Sequence, residues 1–456
     1  MHKHGDLMKK IISILLTVLV LINAAPIVSF GASEPPAIIA ETGVVIDAMT
    51  GKVLYDKNMN ELREPASTTK VITALLALEN LDLNKVVTID AETPFTEGSR
   101  IYLLEGENVT VEQLLYALLL ESANDAAVAL GKEIAGSIPA FADMMNEKAR
   151  ELGAKNTHFI NPNGLHEEGH LATAYDLAMI AREAMKNEKF REMVMTYRYV
   201  IPATNKQETR YLYNTNRLIY DERTKVLVGG VQRAAKYENA TGIKTGYTSH
   251  AGGCLVAGAK IGDTEFISVV MKSTDEGRFA DSIALLDYAF ANYKSVKAMS
   301  AGTILGEIPV KRGSENKVQV ISAEDAYATL PIEASSALVN TKVKLDDKVR
   351  APVLKGQKVG EVEIYEGDQL VGKIDAVTAN GIPEGGILSI VGITDETAKV
   401  IERTFAAVLI LIVLLFAVYV VLKRRQIRRR RLRRLERAMR YRELESRHRY
   451  NDYWRY

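Results

Sequence analysis

Apolar residues recur three and four positions apart over Thr69–Leu78, Val111–Leu120, Ala140–Leu152 and Ala174–Met185, a period that predicts four amphipathic helices. Before them, Gly43–Asp47 and Lys52–Asp56 flank the turn-like Ala48-Met49-Thr50-Gly51 and predict a β-hairpin. Strand patterns return around Lys244 and at Phe266–Met271. Ala280–Asn292 then predicts a closing helix with Ile283, Leu286 and Ala289 on one face. Beyond Val296 the texture changes to short β-like runs, Val318–Ile321, Val343–Leu345, Val362–Ile364 and Val371–Ile374, separated by turns such as Glu366-Gly367-Asp368. The pattern therefore predicts a mixed helix-and-strand domain followed by a small all-β domain, with no internal repeat.

Two apolar runs do not fit a soluble core. Lys9-Lys10, the apolar Ile11–Ile22, and small residues up to Ala32 follow the order of a secretory signal peptide, with an uncleaved anchor as the alternative; either way the residues that follow are expected to be exported. Phe405–Leu422 is eighteen residues without a charge, followed at once by Lys423-Arg424-Arg425. That length predicts a membrane-spanning helix, and the basic flank predicts a cytoplasmic C-terminal side. The reading gives a signal peptide over 1–32, a first domain over 33–295, a β domain over 296–378, a connector over 379–404, a span over 405–422 and a tail over 423–456.

Charge sharpens this division. The net +1 of the 456-residue chain conceals +11 from Lys423 onward, +2 in residues 1–32 and −12 between Ser33 and Arg403. An acidic body and a basic tail predict different surroundings. The tail's arginines attract phosphate of any kind, but lipid head groups lie directly beside this segment. Leu432, Leu435 and Met439 share one helical face, so anionic lipid is the expected partner and nucleic acid is not. The single cysteine, Cys254, lies in an apolar run and is expected to be buried in a strand, not catalytic.

Three short motifs carry the chemistry: Ser67-Thr68-Thr69-Lys70, Ser122-Ala123-Asn124 and Lys244-Thr245-Gly246. A serine hydroxyl needs a base to act as a nucleophile. If Ser67 opens a helix, Lys70 lies one turn on, on the same face, and burial beside another cation lowers a lysine pKa enough to make it that base. Lys244 supplies the second cation and an anchor for a substrate carboxylate, with the Thr245 hydroxyl assisting. Ser122 can pass a proton to a leaving nitrogen, and the Asn124 amide can donate to and accept from a peptide bond. Each motif alone is weak; the three together, in this order, define a serine acyl-enzyme site.

On these motifs the chain resembles the D-alanyl-D-alanine carboxypeptidases, the low-molecular-weight penicillin-binding proteins, over about residues 37–378. Gly98-Ser99-Arg100, Asn161–Leu165, Thr173–Leu177 and Asn214–Leu218 extend the likeness. The resemblance implies a serine β-lactamase/transpeptidase-like α/β (α+β) domain, its antiparallel sheet flanked by helices, ahead of the all-β domain. It implies Ser67 as nucleophile, Lys70 as base and Ser122 as relay, with Asn124, Lys244, Thr245 and Gly246 binding substrate. The backbone N–H groups of Ser67 and Tyr247 would form the oxyanion hole, and Arg278 would stand near the carboxylate site. The expected reaction removes the terminal D-alanine of peptidoglycan pentapeptides, is blocked by penicillins and uses no metal or cofactor. Rivals are a β-lactamase, a transpeptidase, an endopeptidase, or an idle wall-binding sensor that signals through the tail. Many relatives attach by an amphipathic helix on the outer membrane surface, whereas this chain is expected to cross the bilayer once, with its catalytic region outside.

One motif competes. His166-Glu167-Glu168-Gly169-His170 matches the zinc-peptidase signature H-E-x-x-H, which works only on a helix. The neighbouring Asn161-Pro162-Asn163-Gly164 and the internal Gly169 predict a loop instead.

Overall fold

The computed structural model describes residues 34–387, 389 and 392–452, with side chains as far as 446. The signal-peptide segment lies outside the described residues. The chain forms two compact units: residues up to 298 with 326–341 and 364–372, and residues 299–325, 342–363 and 373 onward.

The first unit is built on a five-stranded antiparallel sheet of β1 (Thr42–Asp47), β2 (Val53–Lys57), β3 (Ala240–Thr248), β4 (Gly252–Ile261) and β5 (Thr264–Ser273), in the order β2-β1-β5-β4-β3. β1 and β2 are the hairpin the sequence predicts, and β1 runs against β5 with Val44 opposite Val269. Both faces of the sheet are covered, so its strands are apolar on both sides and do not alternate cleanly. Val44, Ile46, Cys254 and Val256 point into one core, whereas Val45, Leu255, Ala257 and Val270 point into another.

The larger core is filled from the helical side by α1 (Lys70–Asn80), α2 (Val111–Leu120), α3 (Asn124–Ala135), α4 (Ile138–Glu151), α5 (Ala174–Ala184) and α6 (Glu188–Met195). The other core is closed by α7 (Gly277–Asn292) through Phe279, Ile283, Leu286 and Ala289. α1 is the central helix: every residue from Lys70 to Ala77 is buried. α2 starts where Thr110 and Gln113 form a reciprocal capping box.

α3 and α6 were not among the helices predicted. α3 packs through alanines and through Gly131, whose position leaves no slack: a Cβ there would touch the Phe141 ring at 3.0 Å. Its apolar stripe is therefore one of small residues, which hydrophobic periodicity registers poorly. α6 has only eight residues. Cys254 is buried in β4, where burial pushes its thiol up to about 11, as suits a structural residue.

The second unit carries the antiparallel pair Ile304–Lys311 and Lys317–Ser322, with a core of Ile308, Val310, Val318, Val320, Val353, Val359 and Ala376. The four predicted β runs all fall in strands. From Asp395 a single helix, α8 (Asp395–Asp452), continues for 58 residues without a break. It contains the exposed apolar stretch Phe405–Leu422, whose length of about 27 Å matches the roughly 30 Å hydrocarbon core of a bilayer.

Candidate active site

The three motifs come from separate elements and meet at one place. Ala66–Thr69 forms a 3-10 turn that runs directly into α1, held by Thr68 Oγ1 donating to the Pro65 carbonyl at 2.6 Å. Ala66 sits at φ +47°, an uncommon conformation for a residue with a side chain. The turn places Ser67 and Lys70 on one face, with Lys70 Nζ 2.9 Å from Ser67 Oγ.

Lys70 is fully buried, and its remaining contacts are acceptors: Asn124 Oδ1 at 2.6 Å and the Asn163 carbonyl at 2.7 Å. An ammonium would donate to all three neighbours. A neutral amine donates to the two carbonyl oxygens, and its lone pair is then left for the Ser67 hydroxyl proton. Burial, reinforced by the Lys244 charge and only partly opposed by Asp125, holds the Lys70 pKa well below that of a free lysine. Among the described residues neither Lys70 nor Lys244 forms an ion pair. The hydrogen bonds to Lys70 are thus outweighed by the cost of keeping an uncompensated cation out of water.

Asn124 opens α3, and its amide is engaged at both ends: Oδ1 with Lys70, and Nδ2 donating to the Glu97 carbonyl at 2.7 Å. It therefore orients the lysine in this structure. Ser122, at the junction of α2 and α3, is buried at φ +60°, and its hydroxyl makes no hydrogen bond among the described residues.

β3 brings in the third motif. Lys244 is buried, with Nζ donating to the Thr245 carbonyl at 3.0 Å. Burial and the Arg278 guanidinium, offset in part by Glu121, lower its pKa to about 7. Thr245 Oγ1 shares a 2.7 Å hydrogen bond with Thr215 Oγ1. Gly246 lies against the serine turn, where a Cβ would stand 3.1 Å from both Pro65 O and Thr68 N. Arg278 Nη1 donates to the Gly246 carbonyl at 2.7 Å, and its Nη2 pairs with Asp275 at 2.7 Å. The Tyr247 side chain is 58% exposed at the end of β3.

The contributions of the Asn163 carbonyl, Thr215 and Asp125 were not anticipated. Two of them sit in segments singled out in the sequence, Asn161–Leu165 and Asn214–Leu218. No side-chain pattern announces that a backbone carbonyl will hold a lysine. Asp125 is buried, accepts from the Ile101 and Leu103 amides, and has its pKa raised by that burial.

The H-E-x-x-H residues lie in a loop. Buried His170 accepts from the Ile160 amide at Nδ1, so the neutral ring carries its proton on Nε2, which donates to Thr69 Oγ1 at 3.0 Å. Burial lowers its pKa to about 4. His166 is exposed and contacts Glu64 instead, so the two imidazoles do not converge.

A family model described as D-alanyl-D-alanine carboxypeptidase matches residues 29–275, and one described as the C-terminal domain of penicillin-binding protein 5 matches 293–384. The chain belongs to the D-alanyl-D-alanine carboxypeptidase family. The D-alanyl-D-alanine carboxypeptidase DacF of Bacillus subtilis is 34% identical over 84% of this chain and 97% of its own length. Penicillin-binding protein 5 of Haemophilus influenzae has a similar structure, with a TM-score of 0.59 at 29% identity, covering 77% of this chain and all of that one. A Streptomyces DD-transpeptidase structure matches with a TM-score of 0.51 at 33% identity, over 56% of this chain and 99% of that one. The carboxypeptidase is accordingly a serine-type peptidase of the penicillin-binding fold, with an apolar C-terminal helix suited to membrane attachment.

One glycine tests how the site is held. Gly164 sits at φ +80°, and a Cβ there would lie 1.8 Å from the Ala66 carbonyl, in the turn that carries Ser67. Gly164→Ala should cost at least about 2 kcal/mol in denaturant unfolding and slow acylation by a fluorescent penicillin. Gly136→Ala is the control: Gly136 has a similar φ of +76° but nothing within 4 Å, so only the left-handed backbone is penalised, by about 1 kcal/mol, with acylation unchanged. Equal effects on acylation would show that the loop does not set the catalytic turn.

Proposed function

We propose that Ser67 is the nucleophile of this carboxypeptidase and Lys70 its general base. Ser67 Oγ adds to the penultimate D-alanine carbonyl of a peptidoglycan pentapeptide while Lys70 takes its proton. Ser122 carries a proton to the departing D-alanine nitrogen, and water then hydrolyses the ester to regenerate Ser67. The observation that carries this reading is the 2.9 Å contact between Lys70 Nζ and Ser67 Oγ, with the amine's other two neighbours both acceptors. Lys244 and Thr245 bind the terminal carboxylate, supported by Arg278 behind Gly246, and Asn124 positions Lys70 beside the substrate amide. The backbone N–H groups of Ser67 and Tyr247 receive the oxyanion. The catalytic domain is assigned to residues 33–295, the β domain to 296–378, the connector to 379–404, the span to 405–422 and the cytoplasmic tail to 423–456, following a signal peptide over 1–32.

In detergent, the full chain should release D-alanine from a muramyl pentapeptide, and Ser67→Ala should lower the rate by roughly 10⁴-fold or more. Release undiminished by that change would remove Ser67 from the mechanism.

The lysines make the pH profile informative. The anchor must be charged to hold a carboxylate, so kcat/KM should fall as pH rises through about 7, where Lys244 loses its proton. Lys244→Arg keeps its charge, so the alkaline limb should move upward even as the rate drops. An unshifted limb would assign it to another group.

We further assign the catalytic region to the outer side of the cell membrane and the tail to the cytoplasm, against anionic lipid. Protease added outside intact spheroplasts should digest the body and spare the tail. With the tail face exposed in reconstituted vesicles, anionic lipid should slow its cleavage relative to zwitterionic lipid. Tail cleavage from outside would reverse the topology, and equal cleavage rates would exclude the lipid contact.

A further inference from the structure

Outside the catalytic cluster, Glu64, His166 and His250 gather at the surface with one potential ligand atom from each lying within 4.8 Å of the others. We propose that these three side chains form a binding site for one divalent transition-metal ion, with Zn²⁺ the best match. His166 Nδ1 already lies 2.9 Å from Glu64 Oε1, and the His166 and His250 rings stack with centroids 4.2 Å apart. A tetrahedral Zn²⁺ holds nitrogen and oxygen ligands at 2.0–2.2 Å, which sets them about 3.4 Å from one another. Closing from the observed separations takes a shift of about 1 Å and a rotation of the stacked rings. Both imidazoles are exposed and free to make it.

The donor set selects the metal class. Two imidazoles and one carboxylate suit Zn²⁺, Ni²⁺ or Cu²⁺ and disfavour Ca²⁺ and Mg²⁺, which take oxygen ligands. Three protein ligands at an exposed position leave the fourth to water.

This site uses one histidine of the H-E-x-x-H motif but not the motif's geometry, since His170 is buried against Thr69. Its ligands come from three walls of the catalytic cleft. Glu64 is three residues before Ser67, His166 three after Asn163, and His250 three after Tyr247. A bound ion would tie the serine turn, the Lys70-holding loop and the β3–β4 turn together at the rim. It would act as a cross-link, not as a participant in acyl transfer.

The test is Zn²⁺ titration of the full chain in detergent, without a polyhistidine tag, by competition with a chromophoric chelator. Wild type should bind one ion per chain with micromolar affinity, and Zn²⁺ should raise its melting temperature by a few degrees. His166→Ala and His250→Ala should each weaken binding by about 100-fold or more and abolish the thermal shift. His158→Ala, at an exposed histidine outside the cluster, should change neither. Because all three sites are on the surface, melting without Zn²⁺ should be the same in every variant, which separates lost ligation from lost folding. Absence of saturable binding to wild type, or binding that survives both cluster variants, would overturn the proposal.

Discussion

The site depends on keeping one lysine amine dry. Lys70 stands at the start of a helix whose first eight residues are all buried, and no carboxylate is paired with it among the described residues. In the proposed role of base it would be disabled by water, which stabilises its ammonium; the surrounding structure buries it and supplies two carbonyl acceptors. Those acceptors come from Asn124, at the head of α3, and from Asn163, in a loop far along the chain. Gly164 lets that loop approach the serine turn at a distance no side chain would allow, and Gly246 lets β3 pack against it where a Cβ would be tight.

Lys70 and Lys244 are held by burial without an ion pair among the described residues, whereas Arg278 is paired with Asp275. Lys70, Lys244 and Arg278 form a positive cluster in which, beyond the effect of burial, Lys244 lowers the proton affinity of Lys70 and Arg278 lowers that of Lys244. Such a cluster is costly when the protein is alone and is relieved by an anionic ligand. On the proposed assignment, a terminal carboxylate and the carboxylate of a penicillin would meet the same electrostatic demand.

Much of this was legible in the chain before the structure. The three motifs come together as their order implied, because each occupies a position that its local pattern marks: Ser67 a helix start, Lys244 the middle of an apolar strand. The hairpin, the β runs after Val296 and the apolar Phe405–Leu422 were equally plain. What stayed hidden were features whose signal is not in side-chain type or period. α3 is built on alanine and Gly131, so its contrast with a loop is slight. The Asn163 carbonyl is a backbone group, and its partnership with Lys70 is a product of tertiary approach. His166 and His170 share a motif in sequence yet face different surroundings, because Gly169, at φ +88°, turns the loop between them.

The place of β3 in the sheet has a further consequence. The order β2-β1-β5-β4-β3 leaves β3 as an edge strand, joined to β4 on one side only. An open edge is normally a hazard, since its unpaired amides and carbonyls can recruit another chain. Here that edge runs through Lys244, Thr245 and Gly246, beside Ser67, with the Thr245 and Gly246 carbonyls already accepting from Lys244 Nζ and Arg278 Nη1. An extended stem peptide can be received as a temporary extra strand, its backbone set in register by main-chain hydrogen bonding before any side chain is read. On the proposed assignment, selectivity would rest on which peptide ends at the right residue, the strand measuring the substrate as a ruler does.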